Sequence, residues 1–179
     1  MTVANLKYEN HLDEHEAKWF AVYTRYKREK IVKEQLANKG IHCFLPLQKV
    51  KRQYTRKVKN LELPLLSCYI FTKIVKNEYV QVLETSDVVQ FVKFSNNLIS
   101  IPEREIDLMK RIIGENIEVE ATPISGLQKG DLVEIHTGPL AGLRGTFVQA
   151  HNSKNFVISL HQMGYALHMQ IDRTNLRKV

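Results

Sequence analysis

Apolar residues along the chain switch between strand-like and helix-like spacing, and each switch marks an element. Trp19-Phe20-Ala21-Val22-Tyr23-Thr24 is an unbroken β-favouring run and reads as a first strand. From Tyr26 to Lys39 the spacing is helical: Ile31, Val32, Gln35 and Leu36 make a narrow stripe, and Gly40 supplies the stop. Lys27, Arg28, Lys30 and Lys33 lie largely off that stripe. Ile41 to Leu47 reads as a second strand. Gln48 to Lys59 is basic with a single aromatic and reads as a long hairpin tip or a mobile loop. Leu61–Leu66 and Tyr69–Lys73 read as strands, the first demoted to an edge or a bend by Pro64. A short helix is expected from Asn77 to Glu84, then strands at Val88–Phe94 and Leu98–Ile101. Pro102 suits the first turn of a last helix, in which Ile106, Met109 and Ile113 share a face and Gly114 ends the run. The order β-α-β-β-β-α-β-β-α predicts an α+β domain with helices packed on an antiparallel sheet.

Past residue 114 the pattern changes. Glu115 to Ser125 is acidic, loses helical periodicity and reads as a linker. Beyond Gly126, Val133/Ile135, Phe147/Gln149, Phe156/Ile158/Leu160 and Leu167/Met169/Ile171 alternate with period two, and Gly and Asn punctuate the runs. Some 50 residues of short strands predict a small all-β barrel. The expected organisation is a flexible leader over 1–17, an α+β domain over 18–114, a linker over 115–125 and the barrel domain over 126–179.

Composition adds a location for charge. The net charge of +7 is unevenly spread: residues 18–60 hold 13 Lys+Arg and 2 Asp+Glu, a formal +11, while residues 61–125 come to −4. A block so poor in balancing acids favours a surface that neutralises phosphates. No apolar run approaches the roughly 20 residues that span a bilayer, and the polar start lacks a secretory pattern, so the expectation is a cytoplasmic protein without membrane contact. Cys43 and Cys68 read as buried thiols in a reducing compartment. The seven histidines are scattered, and no metal-ligand spacing, nucleophile elbow or phosphate loop is present. His161 and His168, flanking Gly164, read as a surface pair. The expectation is a non-enzyme with no metal and no cofactor.

Two motifs then carry a resemblance. Lys129-Gly130-Asp131-Leu132-Val133-Glu134-Ile135-His136-Thr137-Gly138-Pro139-Leu140-Ala141-Gly142-Leu143-Arg144-Gly145-Thr146-Phe147-Val148 resembles a KOW motif, which implies an SH3-like barrel. In the first half, Trp19 to Thr24 with its basic helix, Gly40 to Pro46, Pro64-Leu65-Leu66-Ser67-Cys68-Tyr69-Ile70-Phe71, Val89 to Phe94 and Ile101-Pro102 resemble the N-terminal domain of the NusG family. The two matches together cover about residues 18–179 in the family's order. The Gly-Pro-Leu-Ala-Gly-Leu-Arg-Gly stretch and the basic insert are similar to the UpxY-like antiterminators of polysaccharide loci, in the broader group of RfaH and LoaP. One departure stands out: Leu66-Ser67-Cys68 replaces the family's Phe-Pro-Gly.

The resemblance implies that the first domain binds the clamp helices of the largest subunit of RNA polymerase through an apolar concavity and bridges to the other side of the DNA cleft. Such a bridge would bias the enzyme against an open, paused state. By motif position Tyr23, Leu66, Tyr69 and Phe71 would supply the apolar contact, although strand residues alternate faces and half of these can be core. Tyr79 and Gln81 align with the part reaching the other side. Arg25, Lys27 and Arg28 stand where specialised members contact the exposed non-template DNA strand, and Lys51, Arg52, Arg56 and Lys57 would extend the track to duplex DNA or nascent RNA. The barrel would recruit a small-subunit ribosomal protein or the terminator Rho through Pro139, Leu140 and Phe147. Its alternation and glycines favour a barrel over a refolded helical pair. The implied role is elongation or antitermination at a specific, polysaccharide-type operon, by a monomer. A general NusG-type elongation factor and a KOW-containing RNA- or ribosome-binding protein are the alternatives.

Overall fold

The run at Trp19–Thr24 forms strand β1 (Lys18–Thr24), an interior strand of a four-stranded antiparallel sheet. A computed structural model describes residues 8–54, 57–115, 117–123, 130–151 and 154–179. They fall into two compact units, Met1–Leu45 with Ser67–Glu103, and Pro46–Leu66 with Arg104–Val179.

In the first unit β1 lies between β5 (Tyr69–Ile74) and β6 (Val88–Phe91), and β5 also pairs with β2 (His42–Phe44). Trp19, Phe20, Ala21 and Val22 are all buried, so both faces of β1 are covered, which is why its sequence is continuous rather than alternating. Helix α1 (Glu29–Asn38) buries Val32 and Leu36 and lies against β2 and β5. It starts three residues later than the sequence spacing suggests. Arg28 N–H donates to Arg25 C=O at 3.1 Å, closing a tight turn, and Lys27 sits at φ 61° inside it, a backbone no α-helix accommodates. Helix α2 (Tyr79–Leu83) buries Val82 and stacks Tyr79 on Phe91 with centroids 4.5 Å apart.

The polar opening suggests a loose leader, but from Glu9 the chain is tied down; residues 1–7 lie outside the described set. Asn10 bridges Leu98, His11 N–H donates to Leu98 C=O at 2.9 Å, and Lys76 N–H donates to Asp13 C=O at 2.8 Å. Leu98–Ile101, expected as a strand, forms isolated bridges instead, at Leu98 with Asn10 and at Ile101 with Trp19.

In the second unit the basic insert forms a ribbon of β3 (Leu47–Tyr54) and β4 (Lys57–Pro64) in unbroken antiparallel register. Pro64 sits opposite Leu47 at its base, where a missing donor is least costly. Helix α3 (Glu103–Gly114) buries Glu105, Ile106, Met109 and Ile112. A six-stranded antiparallel sheet runs in the order β12-β8-β9-β10-β11-β7. Its strands are β7 (Val119–Pro123), β8 (Asp131–Ile135), β9 (Arg144–His151), β10 (Lys154–Leu160), β11 (Tyr165–Met169) and β12 (Leu176–Lys178). Strand β7 lies within the stretch read as a linker and pairs with β11 from Val119↔Met169 to Pro123↔Tyr165. Phe156, Leu160, Leu167 and Met169 are fully buried. Gly145 is required here by close approach: a Cβ would stand 2.5 Å from Val157 O and 2.7 Å from the Phe156 ring.

Candidate functional site

Opposed strand residues share a face. The register Tyr23↔Tyr69, Ala21↔Phe71, Trp19↔Lys73 and Phe44↔Phe71 therefore gathers one aromatic face on the first sheet. The Tyr23 and Tyr69 hydroxyls hydrogen-bond to each other, and their rings lie 4.4 Å apart. Phe44 stacks on Phe71 at 6.1 Å, and Trp19 meets His42 edge-on at 5.1 Å with Lys73 Nζ over the indole. Three of the expected contact residues, Tyr23, Tyr69 and Phe71, thus come together. Phe71 is fully buried and Tyr69 is 6% exposed, so Tyr23 carries most of the surface. Leu66, 2% exposed, belongs to the second unit. Tyr79 lies with the opposite face, against Phe91, which pairs with Val22; Gln81 is exposed on α2, and its C=O accepts from Lys39 Nζ at 2.9 Å. The aromatic neighbours Trp19, His42 and Phe44 are gathered by β-register, which composition alone does not reveal.

Immediately past β1 is the tight turn Arg25-Tyr26-Lys27-Arg28. Asp87, itself at φ 68°, organises it: Arg25 N–H donates to Asp87 C=O at 2.9 Å, Arg28 Nε donates to Asp87 Oδ2 at 2.9 Å, and Arg25 Nη1 lies 3.9 Å from Asp87 Oδ1. A second brace lies behind it. Buried Glu29 accepts from Cys68 N–H at 2.8 Å, and Thr24 N–H donates to Cys68 C=O at 2.9 Å. Arg25, Lys27 and Arg28 are thereby brought together as exposed cations on a fixed backbone. Neither Asp87 nor Glu29 was legible as part of the site; Glu29 carries one signal, an acid in the first turn of a helix.

On the β3–β4 ribbon Lys51 and Arg52 are exposed. The register sets Arg52 directly opposite Lys59, a like-charge pair that spacing alone did not single out. Lys57 is in β4, but its side chain, like Arg56, lies outside the described residues.

In the all-β sheet Pro139 is exposed, Leu140 is 2% exposed and Phe147 is half-buried with the Arg173 guanidinium 5.2 Å from its ring centroid. The loop is held by Arg111 of α3, whose Nη2 donates to Pro139 C=O at 2.9 Å and Ala141 C=O at 2.6 Å. Glu134 accepts from Arg144 Nε and Arg177 Nη2, both at 2.9 Å, and these bonds, that to Arg144 first, hold its carboxyl below the ordinary carboxylate range. Cys43 and Cys68 are half-buried free thiols, each pushed up by burial. No group of three His, Cys, Asp or Glu side chains among the described residues is arranged to hold a metal ion, and no helix among them is long and apolar enough to cross a membrane.

Comparison with known proteins meets this geometry. The family profile described as "NusG: Transcription termination factor nusG" matches residues 17–110. No curated protein matches the chain. Among solved structures, "Domain interaction in Thermotoga maritima NusG" is 17% identical with a TM-score of 0.54, and the similarity covers 92% of this chain and 98% of that one. Two conformations of an MjSpt4:Spt5 complex, also 17% identical, have TM-scores of 0.30 and 0.29; each covers 90% of this chain, and 96% and 97% of theirs. The Thermotoga maritima likeness is one of fold, a sheet with helices followed by an all-β sheet. With the profile spanning more than half of its length, the chain belongs to the NusG family of transcription factors.

Proposed function

We propose that the protein is a specialised elongation factor of the UpxY-like kind, in the group of RfaH and LoaP, which binds RNA polymerase and suppresses pausing or termination at a particular operon. The observation that carries this reading is the adjacency, within one unit, of an aromatic sheet face and a cationic turn: Tyr23 and Arg25 are two residues apart at the same end of β1. Apolar and aromatic surface suits an anchor on a protein helix pair, and a rigid cluster of guanidinium and ammonium groups suits the phosphates of a strand emerging beside it. Residues 18–114 would form the polymerase-binding domain. Tyr23 would make the contact with the clamp helices, with Tyr69 and Phe71 supporting it from within the same sheet and Gln81 of α2 facing the other side of the cleft.

The KOW domain, residues 126–179, would take the second partner, a small-subunit ribosomal protein or Rho. Exposed Pro139 and half-buried Phe147 offer surface for it, and buried Leu140 anchors the loop between them. The test is a purified elongation complex stalled at a pause, with and without the protein. Shortened pauses, lost with Tyr23→Ala, are expected; pause lifetimes that do not change when the protein is added would reject the role.

A further inference from the structure

Tyr26 is the least expected residue of the basic turn. Its side chain is 67% exposed, among the most exposed large hydrophobic residues in the chain, and it sits between Arg25 and Lys27 rather than over any core. A phenol ring left in water gains no burial for the fold. The backbone beneath it is nevertheless tightly fixed. Tyr26 and Lys27 are the two central residues of a turn closed by Arg28 N–H to Arg25 C=O, and Asp87 ties both ends of that turn with a backbone bond and two ion pairs. Lys27 Nζ stands 5.1 Å from the Tyr26 ring centroid. That cation lies over the ring, and with the residue 67% exposed the ring remains accessible to a second planar group.

An exposed ring on a rigid, positively rimmed tip fits one class of ligand. A nucleobase stacks on an aromatic face whatever its identity, and flanking cations take the phosphates on either side of it. A duplex keeps its bases stacked on one another, so the ligand has to be a single strand. The geometry points to Tyr26 as a base-stacking platform for an unpaired nucleotide, with Arg25, Lys27 and Arg28 holding the adjoining phosphates. The inference rests on the reading of this turn as a nucleic-acid contact and adds to it a residue that senses the base. It explains why the turn is braced by Asp87: a stacking ring has to be held at a fixed angle before the base arrives, or ordering it costs affinity.

The test uses the full chain and a labelled single strand of about 12 nucleotides, as DNA and as RNA, each also prepared with abasic positions. Tyr26→Ala is expected to weaken binding of the intact strand roughly 5- to 150-fold while leaving the abasic strand unchanged, and Tyr26→Phe to bind as the parent does. Equal loss on intact and abasic strands would mean that Tyr26 only shapes the turn, and would overturn the proposal. So would parental binding by Tyr26→Ala alongside weakened binding by Arg25→Gln with Lys27→Gln, although the cationic contact would then stand. If both sets of variants bind as the parent does, the nucleic-acid reading of the turn falls with the platform. Thermal unfolding of each variant, at an exposed position, shows whether the fold is retained.

Discussion

Cys68 stands where the family's pattern has the glycine of Phe-Pro-Gly, and its φ is 67°. A non-glycine residue thus holds a left-handed conformation, the region that favours glycine. Two backbone bonds hold it: Cys68 N–H to the Glu29 carboxylate and Thr24 N–H to Cys68 C=O. An L-residue pays about 1–2 kcal/mol in that region, while glycine loses more chain entropy on folding. The balance predicts that Cys68→Gly stabilises the protein by about 0.5–1 kcal/mol. The check is a urea midpoint that rises at unchanged slope; a fall would mean that the half-buried thiol contributes more than the backbone conformation costs. The substitution itself is plain in the sequence. That Cys68 is held left-handed is not, because Glu29 lies 39 residues away and reaches Cys68 only in the folded sheet.

Elements defined by an apolar run or stripe were legible: β1, β5, α1 and α3 lie close to where Trp19–Thr24, Tyr69–Lys73, Val32/Leu36 and Ile106/Met109 place them. Elements defined by a distant partner were not. The start of α1 is set by Asp87, and β7 exists because β11 offers it an edge. The Glu134 bridge is of this second kind. From β8 it accepts from Arg144 on β9 and Arg177 on β12, binding three neighbouring strands through one carboxylate. Its pKa is lowered by those two bonds from an ordinary 4.5. A depressed folded value means that the unfolded chain takes up the proton first as pH falls. The bridge's stabilisation is thus fully present above about 4.5 and is lost as pH falls through the lower folded value. Asp172 behaves in the same sense, held low by the Thr174 N–H and hydroxyl. The parent's melting temperature should therefore fall on acidification below about 4.5, and Glu134→Gln should fall less steeply over that window while starting lower at neutral pH. Identical acid profiles for the two proteins would remove the bridge from the account.

At the scale of the whole molecule, the question is what an excess of positive charge is for. Residues 18–60 carry a formal +11, and that block is divided between the braced turn in one unit and the β3–β4 ribbon in the other. The ribbon gives the sharper test, because it works against its own stability. Arg52 and Lys59 are directly opposed across the strands, an arrangement that costs a few tenths of a kcal/mol or more in a two-stranded ribbon. A chain selected for stability alone would place an acid at one of those positions, as Lys49 opposite Glu62 does nearer the base. If the pair serves a polyanion, replacing both by Gln should slightly stabilise the free protein and weaken nucleic-acid binding. The second effect is diagnostic in its salt dependence: two fewer neutralised phosphates flatten the slope of log affinity against log salt by about 1.4 for a single strand and about 1.8 for a duplex. If polymerase is bound through the aromatic face as proposed, that binding should keep a shallow slope in the same variant, since buried apolar contact is little screened. An unchanged nucleic-acid slope would leave the opposed cations as a cost with no return, and would confine the nucleic-acid track to the turn at Arg25–Arg28.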